Sequence, residues 1–181
     1  MPKYLGLVLV LVSWVLAVRL LLKWRDKNLK TISHHAASSI KARLLFLVTL
    51  TALGMPFYLW VQHFLTPVVS HSVAFEILLI LTFSLQTITA LAPDTFGVSR
   101  LVHRASAYSL AFFYFPLDLL MVLSGELSEI ARFYATVVAI YMLFTMIWVS
   151  ILKKYEQHFI IFQTLYIVGI QSALLVAVYI H

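Results

Sequence analysis

Arg100, His103 and Arg104 stand at i, i+3 and i+4 in one short stretch, so a helix would carry all three on one face. Two guanidiniums and an imidazole placed this way can close on one phosphate or carboxylate. With apolar runs on either side, an anionic lipid head group at a membrane boundary is the first candidate. An ordinary basic membrane anchor uses the same residue types and is the alternative. Further along, Pro116 and Asp118 interrupt a run that is otherwise apolar. A carboxylate at that depth needs a cation or a proton, and ionisable groups inside a membrane mark function by default. The nearest candidate cation is Arg132. Asp118 and Arg132 are therefore expected to form a structural pair that pins the hairpin between them, with a proton or ligand site at Asp118 as the second reading. Pro116 lacks a backbone N–H and so frees a carbonyl one turn back.

Three amides, Gln86, Gln163 and Gln171, also lie within apolar stretches. Buried amides in a bundle usually bond across helices. The alternative is that they line a cavity with Asp118, where 9 Tyr and 13 Phe would suit a lipid or a small hydrophobic molecule.

The seven histidines fall into two groups, His63, His71 and His181 towards one side and His34, His35, His103 and His158 towards the other. None lies deep in an apolar run, and neither HExxH nor a facing pair at matching depth occurs, so no metal or haem is expected. The first group, with Glu76, Glu126 and Glu129, fits a weak divalent-ion site and fits a wet loop surface equally well. The absence of cysteine removes thiolate metal sites, iron–sulfur clusters and thiol nucleophiles. Ser99-Arg100 ahead of His103 suggests a lipid phosphatase, but the second His motif of that chemistry is missing, and no G-x-S-x-G marks a serine hydrolase. Catalysis ranks last among the function classes, and no cofactor is expected.

The elements that must hold these residues follow from composition. The 181 residues are 62% hydrophobic and 11% charged, with a mean hydropathy of +0.98, well outside the range of soluble domains. A bilayer core of about 30 Å needs roughly 20 apolar residues as a helix. Six such runs occur, at about 4–24, 44–65, 73–92, 105–124, 130–152 and 159–180, which predicts an all-α, polytopic six-helix membrane bundle forming a single domain over 1–181. The runs are continuous rather than alternating, which excludes a β-barrel.

Threading the six spans back and forth puts Arg19, Lys23, Arg25, Lys27, Lys30, Lys41, Arg43, Arg100, Arg104, Lys153 and Lys154, eleven of the thirteen Lys and Arg, on one side. The positive-inside rule then places the basic loops in the cytoplasm and both termini outside, in a multi-pass protein of the cell membrane. The net charge of +6 lies beside apolar spans, so anionic head groups on the cytoplasmic side are the expected partner, and nucleic acid is not. The positive charges of the first span follow its apolar run, and no cleavage pattern appears, so the span is expected to stay as an anchor. The polar connection 25–39 has Leu29, Ile32 and Ala36 at helical spacing and is read as a short amphipathic helix on the cytoplasmic surface or as a plain loop.

Small residues recur at helix-packing intervals: Ala107 and Ala111; Ala131, Ala135 and Ala139; Gly169, Ala173 and Ala177. Such faces let helix backbones approach, within one bundle or against a partner membrane protein. No internal repeat supports an inverted-repeat transporter.

At Pro93-Asp94, His103 and Ala107 the chain resembles a prokaryotic family of six-span proteins of unknown function, distantly akin to the DRAM-like membrane proteins. There a Pro-acidic motif closes the third span, and a His opens the fourth with a small residue four positions later. The resemblance implies architecture rather than activity. The leading expectation is a non-enzymatic membrane protein that binds a lipid or small hydrophobic ligand, its head group on Arg100, His103 and Arg104 and its body near Gln86, Asp118, Gln163 and Gln171. The rival readings are a substrate-capturing subunit of a transporter and an accessory subunit of a larger membrane complex.

Overall fold

Backbone amides inside a bilayer have no water to bond, so an apolar run of span length satisfies them internally as a helix. The computed structural model of the chain describes residues 1–24, 31–92, 94, 97–151 and 159–180. It forms α1 (Tyr4–Lys23), α2 (Ile32–Ala37), α3 (Ile40–Val48), α4 (Gly54–Leu65), α5 (Ser72–Leu91), α6 (Gly97–Val122), α7 (Glu129–Ile151) and α8 (Phe159–Ile180). A π turn over Thr49–Leu53 joins α3 to α4, making one span of 29 residues from Ile40 to Val68. Six helical segments are long and apolar enough to cross a membrane, which makes this a multi-pass membrane protein. Among the described residues there is no strand.

Two spans begin earlier than hydropathy suggests, because polar residues form their first turns. Ser39 Oγ accepts the Ala42 N–H and caps α3, so that span starts at Ile40 rather than near Leu44. Gly97 takes φ +62°, a left-handed conformation that costs glycine little, and α6 starts there rather than near Ala105. Arg100, His103 and Arg104 therefore belong to the first two turns of α6 instead of a turn ahead of it.

The connection between α1 and α3 contains the short helix α2, capped by Thr31 Oγ1, which accepts the His34 N–H. Ile32 and Ala36 of α2 are buried with Leu20, against Leu21, Trp24, Leu45 and Phe46. The apolar side of α2 thus seals one end of the bundle rather than lying on lipid. Leu29 and the basic residues Arg25, Lys27 and Lys30 lie outside the described residues, as do Pro93, Lys153, Lys154, His158 and His181.

Consecutive hairpins α5–α6, α6–α7 and α7–α8 pack along their lengths, and α8 returns to touch α4, α6 and α1. Trp60, Phe75, Leu117, Met121, Met142 and Ile170 form the centre of the core. The small-residue faces of α7 and α8 lie inside the chain, whereas Ala107 and Ala111 of α6 are half-buried. Ala131, Ala135 and Ala139 of α7 and Ala173 and Ala177 of α8 are buried, and a Cβ on Gly169 would stand 3.5 Å from Val138. With lipid as apolar as leucine, close backbone approach and dispersion contacts hold these helices together. Outward positions carry large apolar groups such as Leu22, Phe133 and Ile140, a surface suited to acyl chains.

Trp60 Nε1 and Tyr179 Oη both donate to the Lys3 carbonyl, at 3.0 and 2.8 Å. This ties the start of α1 and the end of α8 to one end of the bundle. The same end carries the links after α4 and α6, where Ser124 Oγ donates to the Val68 carbonyl at 3.0 Å and accepts the Ser70 N–H at 3.1 Å. Lys23, Lys41, Arg43, Arg100 and Arg104 collect at the opposite end, so the two ends differ in charge.

Candidate functional site

At the basic end, α5 stops at Leu91 and its last carbonyls need donors. His103 supplies one. It is buried, and Nδ1 lies 2.7 Å from the Ala92 carbonyl oxygen and 3.0 Å from that of Thr89. Both partners only accept, so Nδ1 carries the hydrogen. Behind it, Thr89 Oγ1 bonds Ser106 Oγ at 2.9 Å, and Ser106 Oγ reaches the His103 carbonyl at 3.0 Å. His35 repeats the arrangement at the end of α1, with Nδ1 2.9 Å from the Trp24 carbonyl oxygen.

Arg100 and Arg104 turn the other way. Their Nε atoms stand 3.4 and 3.9 Å from the same oxygen, Oδ1 of Asp94, while their side chains remain 42% and 53% exposed. The structure therefore divides the trio that spacing had grouped. The arginines form an outward pair on one carboxylate, and the imidazole is a structural cap. A side chain at i+3 follows the arginine face only until a stronger demand, here two orphan carbonyls, turns it inward.

Arg43 completes the cluster from α3, its Nη2 donating to the Leu91 carbonyl at 3.4 Å. Ser33, Arg43, Phe46, Ala90, Asp94 and His103 are among the residues around a small cavity of about 10 Å³, room for roughly one water. Three guanidiniums against one carboxylate leave the cluster net positive. Asp94, Arg43 and Ser33 were not among the candidate site residues; Asp94 entered only through the Pro93-Asp94 resemblance and Arg43 only as one of the basic residues on that side. Asp94 had a signal, since a Pro-acidic pair precedes an Arg-x-x-x-Arg stretch. Arg43 and Ser33 had none, because only the fold of α2 and α3 brings them to the α5–α6 link.

The intramembrane amides are engaged between helices. Gln86 Nε2 donates to the Leu50 carbonyl at 2.9 Å, and its Oε1 accepts from Tyr114 Oη at 3.3 Å. The Leu50 carbonyl belongs to the π turn, where the Gly54 N–H goes to Thr51 instead. Gly54 makes room for this, since a Cβ there would stand 2.5 Å from Gln86 Nε2. Gln163 Oε1 accepts the Ile32 N–H at 3.0 Å and so holds the first turn of α2. Gln171 Oε1 accepts from Trp14 Nε1 at 2.6 Å, joining α8 to α1. The three amides serve three separate helix contacts and do not converge with Asp118.

Asp118 is completely buried, and neither carboxylate oxygen has a hydrogen-bond partner. The expected pair with Arg132 is not formed. The ion pairs at the basic end go to Asp94, and Arg132 Nε is itself buried without an acceptor. Pro116 and Asp118 both lie within one continuous α6, so the carboxyl follows the helix face into the core, beside Leu117 and Met121.

His63 and His71 are exposed at the other end, and among the described residues no group of three or more His, Asp or Glu is gathered to hold a metal ion. Comparison with protein-family models, with curated proteins and with solved structures finds no match.

Proposed function

We propose that the chain is a non-enzymatic protein of the cell membrane that holds an anionic lipid at its basic end, with the basic loops in the cytoplasm and both termini outside. The observation that carries this reading is the convergence of Arg100 and Arg104 on a single oxygen of Asp94, with Arg43 beside them. Both pairs run through Nε, and a guanidinium fork offers its terminal nitrogens to a phosphate. Exposed Leu44, Leu91, Val98 and Leu101 surround the cluster and suit the acyl chains that would accompany a head group. The head-group face is thus Arg43, Arg100 and Arg104, with Asp94 as a counter-ion that keeps the site ordered when empty.

The body of the ligand lies on these outer flanks, because Gln86, Gln163 and Gln171 already bond within the bundle.

Native mass spectrometry of the protein released from vesicles containing phosphatidylglycerol and phosphatidylcholine tests the proposal. One retained phosphatidylglycerol, lost in Arg100→Gln/Arg104→Gln, is the expected result. Equal retention by wild type and variant would sink it. Adding Asp94→Asn to the double variant removes the carboxylate left without its arginines, which separates loss of binding from loss of fold. The orientation is tested on the cysteine-free chain with single introduced cysteines. Gly125→Cys should react with a membrane-impermeant maleimide on intact cells, and Lys41→Cys should not.

A further inference from the structure

The Asp118 carboxyl stands apart from the basic end, and its chemistry is independent of the lipid-binding reading. The side chain has no exposed surface and neither oxygen meets a donor. An ionised carboxylate in that position would be an unpaired charge in a low-dielectric core, which costs several kcal/mol or more. A metal ion in its place would require several further oxygen ligands, and an amine would require room and acceptors of its own. The packing around Leu117, Asp118 and Met121, all fully buried, supplies neither. A proton needs no room and no second ligand.

We propose that Asp118 is a proton-binding site within the bundle and that Arg132 is the counter-ion of its ionised form. Arg132 lies in the first turn of α7, across the short link that follows Val122, and its Nε is buried without an acceptor. The two arms of one hairpin thus carry an acid without a donor and a guanidinium nitrogen without an acceptor. When the site empties, the O–H bond of the acid breaks, its electron pair stays on the carboxylate, and the proton passes to water at the near end of the bundle. The carboxylate then closes on the guanidinium.

Pro116 is where α6 can yield. Its missing N–H leaves the Phe112 carbonyl without its helix bond, so α6 bends more readily just ahead of Asp118.

Of the other ionisable groups on the helices packed against α6, Tyr166 stands close enough to Asp118 to feel its charge, and the rest are committed or lie elsewhere. Glu76 on α5 accepts from Gln62 Nε2 at 2.7 Å, and Tyr166 on α8 donates to the Ala111 carbonyl. Tyr114 on α6 itself donates to Gln86. On α7, Glu129 is exposed at the helix start, and the Tyr141 hydroxyl is buried without a partner. None of them bonds Asp118.

Infrared spectroscopy of the full-length protein in lipid vesicles reads the site directly, because a protonated carboxylic acid has a carbonyl stretch distinct from that of a carboxylate. The expected result is such a band at neutral pH that is absent in Asp118→Asn, shifts in deuterium oxide and disappears on alkaline titration. In Arg132→Gln, disappearance should require a lower proton concentration, since the ionised form has lost its partner. A purely structural Arg132 would leave that midpoint unchanged and would overturn the counter-ion assignment. A spectrum with only ionised carboxylate overturns the proton site, and so does an acid band that ignores both pH and deuterium. Asp118→Glu, which keeps an exchangeable acid, should retain a titrating band and so separates loss of the site from misfolding.

Discussion

The His103 ring N–H is shared between the Ala92 carbonyl at 2.7 Å and the Thr89 carbonyl at 3.0 Å, and that contact separates it from the two arginines that share its helical spacing. The end of α5 is thereby closed by a residue of α6. The cluster at the basic end is left with a purely guanidinium face.

Removing that cap is expected to loosen the α5–α6 link. His103→Ala leaves the Ala92 and Thr89 carbonyls without the ring donor in a buried setting, a loss of about 1–3 kcal/mol. The check is thermal unfolding in detergent beside native mass spectrometry. Stability should fall while phosphatidylglycerol retention persists in the folded fraction.

Asp94→Asn should act in the opposite sense on binding. The arginines it pairs are about half exposed, so the pairs contribute little to stability, within about 1 kcal/mol. Without the carboxylate the site is more positive, and retention of phosphatidylglycerol should rise. Retention in wild type should also weaken as salt increases, because the site sits at a solvated boundary where charges are screened.

Gln86 joins the π turn to Tyr114 across the bundle, so Gln86→Leu is expected to cost about 0.6–2 kcal/mol. Gly54→Ala should weaken the same contact by pushing the amide aside, since its Cβ would stand 2.5 Å from Nε2. The two substitutions act on one contact, so their combination should cost less than the sum. A double-mutant cycle of unfolding free energies in mixed micelles measures this.

Ala135→Leu and Ala173→Leu should each destabilise the bundle by about 1–3 kcal/mol, because both positions are buried between close helices. Had these faces served a second chain, the substitutions would change oligomeric state instead. Sedimentation in detergent together with unfolding midpoints separates the outcomes. A stability loss without a change in mass is the expected one.

The sequence by itself determined the helical class, the number of spans and the grouping of basic residues, because hydropathy over about 20 residues reports where amides must bond to themselves. The Arg100 and Arg104 pairing face was also legible, since i and i+4 on a helix are neighbours whatever the surroundings. The tertiary structure decided which polar groups are taken. His103 turned inward because α5 ended beside it with open carbonyls, and Gln86 was claimed by a π turn that no local pattern announces. Gln163 was claimed by the first turn of α2, 131 residues away. Arg43 joined the basic cluster only because α2 and α3 fold back over the α5–α6 link. Asp118 and Arg132, neighbours across a hairpin in the sequence, were held apart by the direction in which α6 faces the core. Helix formation is local and follows from composition. The partner of a buried polar group depends on which helix comes to lie opposite it, and that is settled by packing over the whole bundle.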